Sequence, residues 1–96
     1  MSLVLTSGGT GFTPCDVTPE AVSELITRSA DSLNQMMQNE ALKITKMACL
    51  SRSVIGMIPS QGNSEALIVT LPGKPKAVKE NFGVLMQNRV LVHALN

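Results

Sequence analysis

Aromatic residues are almost absent from this sequence, which holds no Trp, no Tyr and two Phe. Proteins that bind single-stranded nucleic acid stack bases on aromatic side chains, so that kind of binding surface is excluded. An excess of one charge is also lacking, since eight Lys and Arg against seven Asp and Glu leave a net charge of +1. The basic residues are dispersed along the chain, which argues against a groove that binds nucleic acid by electrostatics. We therefore expect no nucleic-acid partner.

Cysteine and histidine are scarce as well. Cys15 and Cys49 lack the CxxC spacing of a metal site, and His93 is the single histidine, so no zinc pattern is present. Two separated cysteines are typical of a reducing compartment. No apolar run approaches the roughly 18 residues that span a bilayer, and the N-terminus lacks the regions of a signal peptide. We expect a soluble, cytoplasmic protein with no membrane partner.

The composition is that of one small globular domain, with 96 residues of which 44% are hydrophobic and 16% charged. Residues 3–6 form a short apolar run without alternation that ends in a glycine turn. Such runs are typical of strands buried on both faces in a parallel sheet. Two further strands are predicted at 54–58 and 66–71, joined by a turn over 59–64.

Three helices are predicted around these strands. Thr18-Pro19-Glu20 is a helix start with Thr18 as the N-cap, and an apolar stripe at helical spacing follows from residue 22 to residue 44. Because Ser and Asp residues interrupt the stripe, we predict two helices, at 19–29 and 32–42. A third begins at Pro75 and continues towards Leu95, with a kink near Asn88. This order of elements favours a layered α/β domain.

Four polar or glycine-rich segments are candidates for chemistry, and each has a plain structural explanation too. The glycines of residues 8–11 suit either a phosphate cradle or an ordinary tight turn. Asp16 suits either a helix cap or a metal ligand beside phosphates. Arg52, after Ser51, suits either an anion clamp or an exposed surface position. Pro72-Gly73 ends a strand where α/β sheets bind ligands, although a simple turn explains it equally well.

Taken in order along the chain, these segments resemble the molybdopterin-binding family, which includes the molybdopterin adenylyltransferases. The likeness is carried by residues 3–14, 16–21, 36–38, 42–45, 50–53 and 71–75. Because separated blocks agree in order, the resemblance covers nearly the whole chain. It implies a three-layer α/β/α domain with a mostly parallel sheet that assembles as a homotrimer.

The resemblance also implies a reaction, the Mg²⁺-dependent transfer of AMP from ATP to molybdopterin in molybdenum cofactor biosynthesis. It implies that Asp16 is the catalytic residue and acts through the metal. The residues that it implies for binding nucleotide phosphates and pterin are Ser7, Gly8, Gly9, Thr10, Gly11, Ser51, Arg52, Pro72 and Gly73. The alternative is a non-catalytic trimeric scaffold or interaction module built on the same domain.

Some positions depart from the family pattern. Cys15 stands where many relatives carry Arg, Ala41 stands where some carry Ser, and the turn over 59–64 lacks a basic residue often found there. Family domains also have further strands and helices before the glycine-loop strand, with a second essential carboxylate. We therefore expect residues 1–96 to be the C-terminal portion of one such domain, with little or no activity alone.

Overall fold

Two of the strands predicted from the sequence form a hairpin in the middle of the sheet. The structure is a computed structural model, and it describes residues 2–44, 46–73 and 75–86. Strands β3 (Ile55–Pro59) and β4 (Glu65–Leu71) pair antiparallel. Every residue from 66 to 71 is at most 4% exposed. Strand β4 is therefore buried on both faces.

Strand β1 (Ser2–Ser7) lies at one edge of the four-stranded sheet, whose order is β1-β4-β3-β2. The prediction that this strand is buried on both faces is wrong for the described residues. Val4 and Leu5 point to opposite faces and are 37% and 43% exposed, because β4 is the one described strand beside β1. The α/β class is confirmed, and the sheet is mixed: β1 pairs parallel with β4, while the other pairs are antiparallel.

The first helix is shorter than its apolar stripe predicted. Helix α1 (Thr18–Leu25) ends before residue 29 because Ile26 turns into extended backbone, with φ −75° and ψ 128°. The next residue, Thr27, donates its amide to the Met57 carbonyl at 2.9 Å. A short strand β2 (Arg28–Ser29), absent from the prediction, then pairs with β3. The predicted cap is also wrong, since Val17 occupies the N-cap position without a side-chain hydrogen bond.

The predicted break after the first helix is confirmed. Helix α2 (Asp31–Ile44) is a separate element, and a 3-10 helix (Lys46–Leu50) follows it. Helix α3 (Pro75–Met86) begins at the predicted proline. Its predicted continuation, the kink near residue 88 and His93 lie outside the described residues. Of the helices described, none has the length and apolar character needed to cross a membrane.

The helices cover both faces of the sheet. On one face, α2 and α3 pack on the strands through the buried side chains of Met37, Ile55, Leu67, Val69, Leu71 and Leu85. On the other face, a Cβ added to Gly56 would lie 2.7 Å from Ile26 Cγ2. Ile26, the residue after α1, therefore packs against that opposite face, and Val22 of α1 is buried as well. This arrangement gives α/β/α layers and leaves the carboxyl ends of β1 and β4 side by side.

Candidate functional site

Two loops meet at the carboxyl ends of the parallel strands. Ser7 and Leu71 are register partners, so the chain leaves both strands at the same level. The Gly8 amide donates to the Leu71 carbonyl at 2.9 Å, and the Ser7 hydroxyl donates to the Pro72 carbonyl at 3.1 Å. The backbones approach so closely that a Cβ on Gly73 would lie 3.3 Å from Gly8 Cα. Ligands of α/β sheets bind at this end of the strands.

Residues 8–17, called the glycine loop below, are fastened to the start of α1. Thr18 donates its amide to the Gly9 carbonyl at 3.0 Å and its hydroxyl to the Gly8 carbonyl at 2.9 Å. Gly9 has a φ of +72°, and a Cβ there would lie 2.1 Å from Thr18 Oγ1. Glycine is therefore required where the loop passes against the helix. A loop of this kind can present its amides to phosphate oxygens.

Arg52 ties the glycine loop to the segment after the 3-10 helix. Its amide donates to the Thr10 carbonyl at 2.7 Å, and its Nε donates to the Gly11 carbonyl at 2.6 Å. One terminal nitrogen donates to the Asp16 carbonyl, and the other donates to Glu20 Oε1 at 2.6 Å. All three guanidinium nitrogens therefore bind the protein's own loop and the first turn of α1.

The Asp16 carboxylate is held by donors of its own loop. Thr13 donates its hydroxyl at 2.6 Å and its amide at 3.0 Å, both to Oδ2. These two bonds, and to a lesser extent the Gly11 amide and the Arg52 charge, hold the pKa of Asp16 below its ordinary value of 3.8. Arg52 likewise lowers the pKa of Glu20 from 4.5 by its hydrogen bond and charge. Asp16 is thus ionised at neutral pH, and Thr13 leaves Oδ1 available to a cation or water.

A cavity of about 350 Å³ opens beside the glycine loop. It is lined by Gly9, Thr10, Gly11, Asp16, Gln38, Ala41, Ala48, Leu50, Ser51, Pro72, Gly73, Ala77, Glu80 and Asn81. The charged side chains in this described lining, Asp16 and Glu80, are both acidic. Backbone amides of the glycine loop and a metal ion held by a carboxylate could offset the charge of a phosphate group in this cavity.

Most of the residues expected from the sequence come together here. Those that line the cavity are Gly9, Thr10, Gly11, Asp16, Ser51, Pro72 and Gly73. Ser7, Gly8 and Arg52 do not line it, and each hydrogen-bonds the protein's own backbone instead. A contact of these three residues with a ligand stays a prediction.

Helices α2 and α3 form a wall of the cavity, and none of its residues was predicted to bind a ligand. Gln38 and Ala41 lie one turn apart on α2, and Ala77 lies one turn before Glu80 and Asn81 on α3. This spacing places each set on one helix face. The spacing is visible in the sequence, and Ala41 was singled out as a departure from the family. The meeting of these faces with the glycine loop depends on tertiary packing.

The resemblance implies Mg²⁺, so the possible metal ligands near the cavity can be compared with the ligands that this ion usually takes. Among the residues described, no three His, Cys, Asp or Glu side chains lie together as in an all-protein metal site. Mg²⁺ rarely uses such a site, because one or two carboxylates together with substrate phosphates and waters complete its coordination. An ionised Asp16 beside a glycine-lined cavity fits that mode of binding.

Comparison with known proteins gives one family match and several relatives. A family described as "Probable molybdopterin binding domain" matches residues 1–91. The chain is 46% identical over 84 residues to gephyrin of Dictyostelium discoideum, and the aligned region covers 88% of this chain and 11% of gephyrin. It is 41% identical over 95 residues to the molybdopterin adenylyltransferase of Escherichia coli (strain K12), and the aligned region covers 97% of this chain and 46% of that protein. The chain thus spans less than half the length of these relatives.

A solved structure shares the fold. The molybdopterin biosynthesis Mog protein from Mycobacterium ulcerans matches with a TM-score of 0.83 and 35% identity, over 99% of this chain and 58% of that one. The order of strands and helices described above is therefore that of a known α/β fold.

Proposed function

The chain belongs to the family of molybdopterin-binding domains, and from this membership we propose that it acts in molybdenum cofactor biosynthesis as a molybdopterin adenylyltransferase. In this reaction an oxygen of the molybdopterin phosphate attacks the α-phosphorus of ATP. A new P–O–P bond joins AMP to molybdopterin, the bond from the α-phosphorus to the β-phosphate oxygen breaks, and pyrophosphate leaves. The name of the Escherichia coli relative supports this proposal.

One observation carries the proposal: an ionised carboxylate lies in a glycine-lined cavity whose described lining has no cationic side chain. Phosphoryl transfer depends mainly on positioning and on neutralising charge. Mg²⁺, when bound, supplies the positive charge that the ATP phosphates require. We assign Asp16 to hold it, Gly9 to Gly11 to receive the nucleotide phosphates, and Ser51 with Pro72-Gly73 to border the pterin.

The chain's own hydrogen bonds prepare the glycine loop for this role. Thr18 fixes the carbonyls of Gly8 and Gly9, and Arg52 fixes those of Gly11 and Asp16. A loop held in one conformation loses less entropy when the phosphates bind, so positioning is achieved before the ligand arrives. Arg52 acts here as a positioning residue.

Ligand-induced stabilisation and pyrophosphate release test the proposal. ATP should raise the thermal midpoint Tm in the presence of Mg²⁺ and not in the presence of EDTA, and molybdopterin should raise it further. Asp16→Asn should remove the dependence of this stabilisation on Mg²⁺. In a protein that also carries the N-terminal portion of the domain, the same variant should lower the rate of pyrophosphate release by about 100-fold. Asp31→Asn is the matched control, since this carboxylate lies in the first turn of α2, outside the cavity lining.

The results also decide between the two candidate functions. If neither ATP nor molybdopterin raises the Tm, and light scattering shows a folded trimer, the non-catalytic scaffold is the better assignment. If Asp16→Asn behaves like the wild type, Asp16 does not hold the metal. We propose a homotrimer in either case, and the exposed apolar side chains of Val4 and Leu5 are compatible with association.

A further inference from the structure

The part of α3 that lines the cavity carries two polar side chains without an assigned role. Asn81 is 5% exposed and lines the cavity. None of the side-chain hydrogen bonds between described residues involves its amide. As a residue of the cavity lining, Asn81 can offer its side-chain amide to a polar group of a ligand. Glu80, the preceding residue, is half-buried and lines the same cavity.

The surroundings of these side chains suit a flat ring. Ala41, Ala48 and Ala77 contribute small apolar surfaces to the same cavity. Gln38 donates its side-chain amide nitrogen to the Ala48 carbonyl, so its oxygen is the atom left to accept. An apolar surface with a few fixed polar groups is the usual lining of a small-molecule pocket.

We propose that Glu80 and Asn81 recognise the 2-amino-4-oxopyrimidine edge of the pterin ring. A carboxylate has two oxygens and can accept from the 2-amino group and the neighbouring ring N–H, while the Asn81 amide donates to the 4-oxo oxygen. Adenine offers one amino donor beside a ring nitrogen acceptor, which a carboxylate repels. This wall therefore selects pterin over adenine and leaves the glycine loop to the phosphates.

The assignment rests on the proposed function, because it places the pterin in this cavity, and it is tested without turnover. Fluorescence titration compares 6,7-dimethylpterin with 6,7-dimethyllumazine, which has an oxo group in place of the 2-amino group. The wild type should bind the pterin about ten-fold more tightly, since the lumazine loses a charge-assisted hydrogen bond. Glu80→Gln should abolish that preference, and the exposed Glu24→Gln on α1 should retain it.

A second variant separates the two side chains. Asn81→Ala should weaken both compounds by a similar factor, because the 4-oxo group is common to them. Circular dichroism establishes whether this buried substitution leaves the helices intact, and Glu80→Gln, which keeps the side-chain shape, remains the decisive variant.

The outcomes distinguish this inference from the proposed reaction. Equal binding of the two compounds by the wild type, or a preference that survives Glu80→Gln, overturns the inference even if pyrophosphate is released. Pterin binding that depends on Glu80 supports the inference whether or not pyrophosphate is released. Adenylyl transfer itself is refuted if a protein that also carries the N-terminal portion of the domain binds pterin in this way and releases no pyrophosphate. Failure of the wild type to bind either compound overturns the inference.

Discussion

Replacement of Arg52 by glutamine should loosen the glycine loop and lower the free energy of unfolding. The guanidinium donates to the carbonyls of Gly11 and Asp16, and each such bond contributes about 0.5–1.5 kcal/mol net. The ion pair with Glu20 adds little, because the Glu20 side chain is 57% exposed. The expected loss is about 2 kcal/mol, which for a chain of this size lowers the Tm by roughly 10 °C.

Urea unfolding followed by circular dichroism measures this loss, and Arg28→Gln is the matched control. The Arg28 side chain is 67% exposed and forms an ion pair with Glu65, so its removal should change stability much less. Arg52→Lys keeps the positive charge but lacks the planar guanidinium with its several N–H donors. It should therefore be only partly more stable than Arg52→Gln. Amide hydrogen exchange of the glycine loop should accelerate in Arg52→Gln. If the Arg52 and Arg28 variants lose the same stability, Arg52 does not hold the loop.

Two further predictions concern the glycine loop and its acids. Gly9→Ala should lower the free energy of unfolding by at least about 1 kcal/mol more than Gly62→Ala. Both glycines have a positive φ. An added Cβ would lie 2.1 Å from Thr18 Oγ1 at position 9, whereas it would meet nothing within 4 Å at position 62. Equal losses in urea unfolding would show that the contact with Thr18 is unimportant. In the folded chain the pKa values of Asp16 and Glu20 lie below their ordinary values of 3.8 and 4.5. The two ionised carboxylates therefore stabilise the fold fully above about pH 5. This stabilisation is lost as the pH falls through the lowered pKa values, where the folded chain also takes up protons. A scan of Tm from pH 7 to pH 3 should fall less steeply in an Asp16→Asn, Glu20→Gln double variant, and identical slopes would contradict the assignment.

The sequence predicted the helices and strands that are marked by short local patterns, such as a turn between apolar runs or a proline at a helix start. The turn over residues 59–64 and the apolar runs on either side produced the hairpin, and Pro75 set the start of α3. The end of α1 was mispredicted because Ile26 and Ala30 continue the apolar pattern at helical spacing. The amides of Thr27 and Ala30 instead donate to carbonyls of β3. Tertiary hydrogen bonding outweighed local propensity there.

In the candidate site too, residues in a local pattern were predicted, and residues brought together by tertiary packing were not. The glycines and Asp16 were predicted because their order along the chain resembles the family pattern. The structure places Gly9, Gly11 and Asp16 in the cavity lining, and their roles stay predictions. Glu80 and Asn81 were not found, since a Glu-Asn pair on a helix is ordinary until the packing of α3 places it in a cavity wall. Arg52 suited either an anion clamp or an exposed surface position. Its bonds to the carbonyls of Gly11 and Asp16 depend on the path of the folded chain.

The parallel pairing of β1 with β4 has a consequence for the order of folding. Strands β3 and β4 are neighbours in sequence, whereas the bond from the Ser7 hydroxyl to the Pro72 carbonyl joins residues 65 positions apart. Contacts of such separation require closure of a long loop, so they form late and slowly. The glycine loop begins where β1 ends, and we therefore expect the cavity to be completed in the last step of folding. A ligand that binds there would slow unfolding by keeping β1 on the sheet.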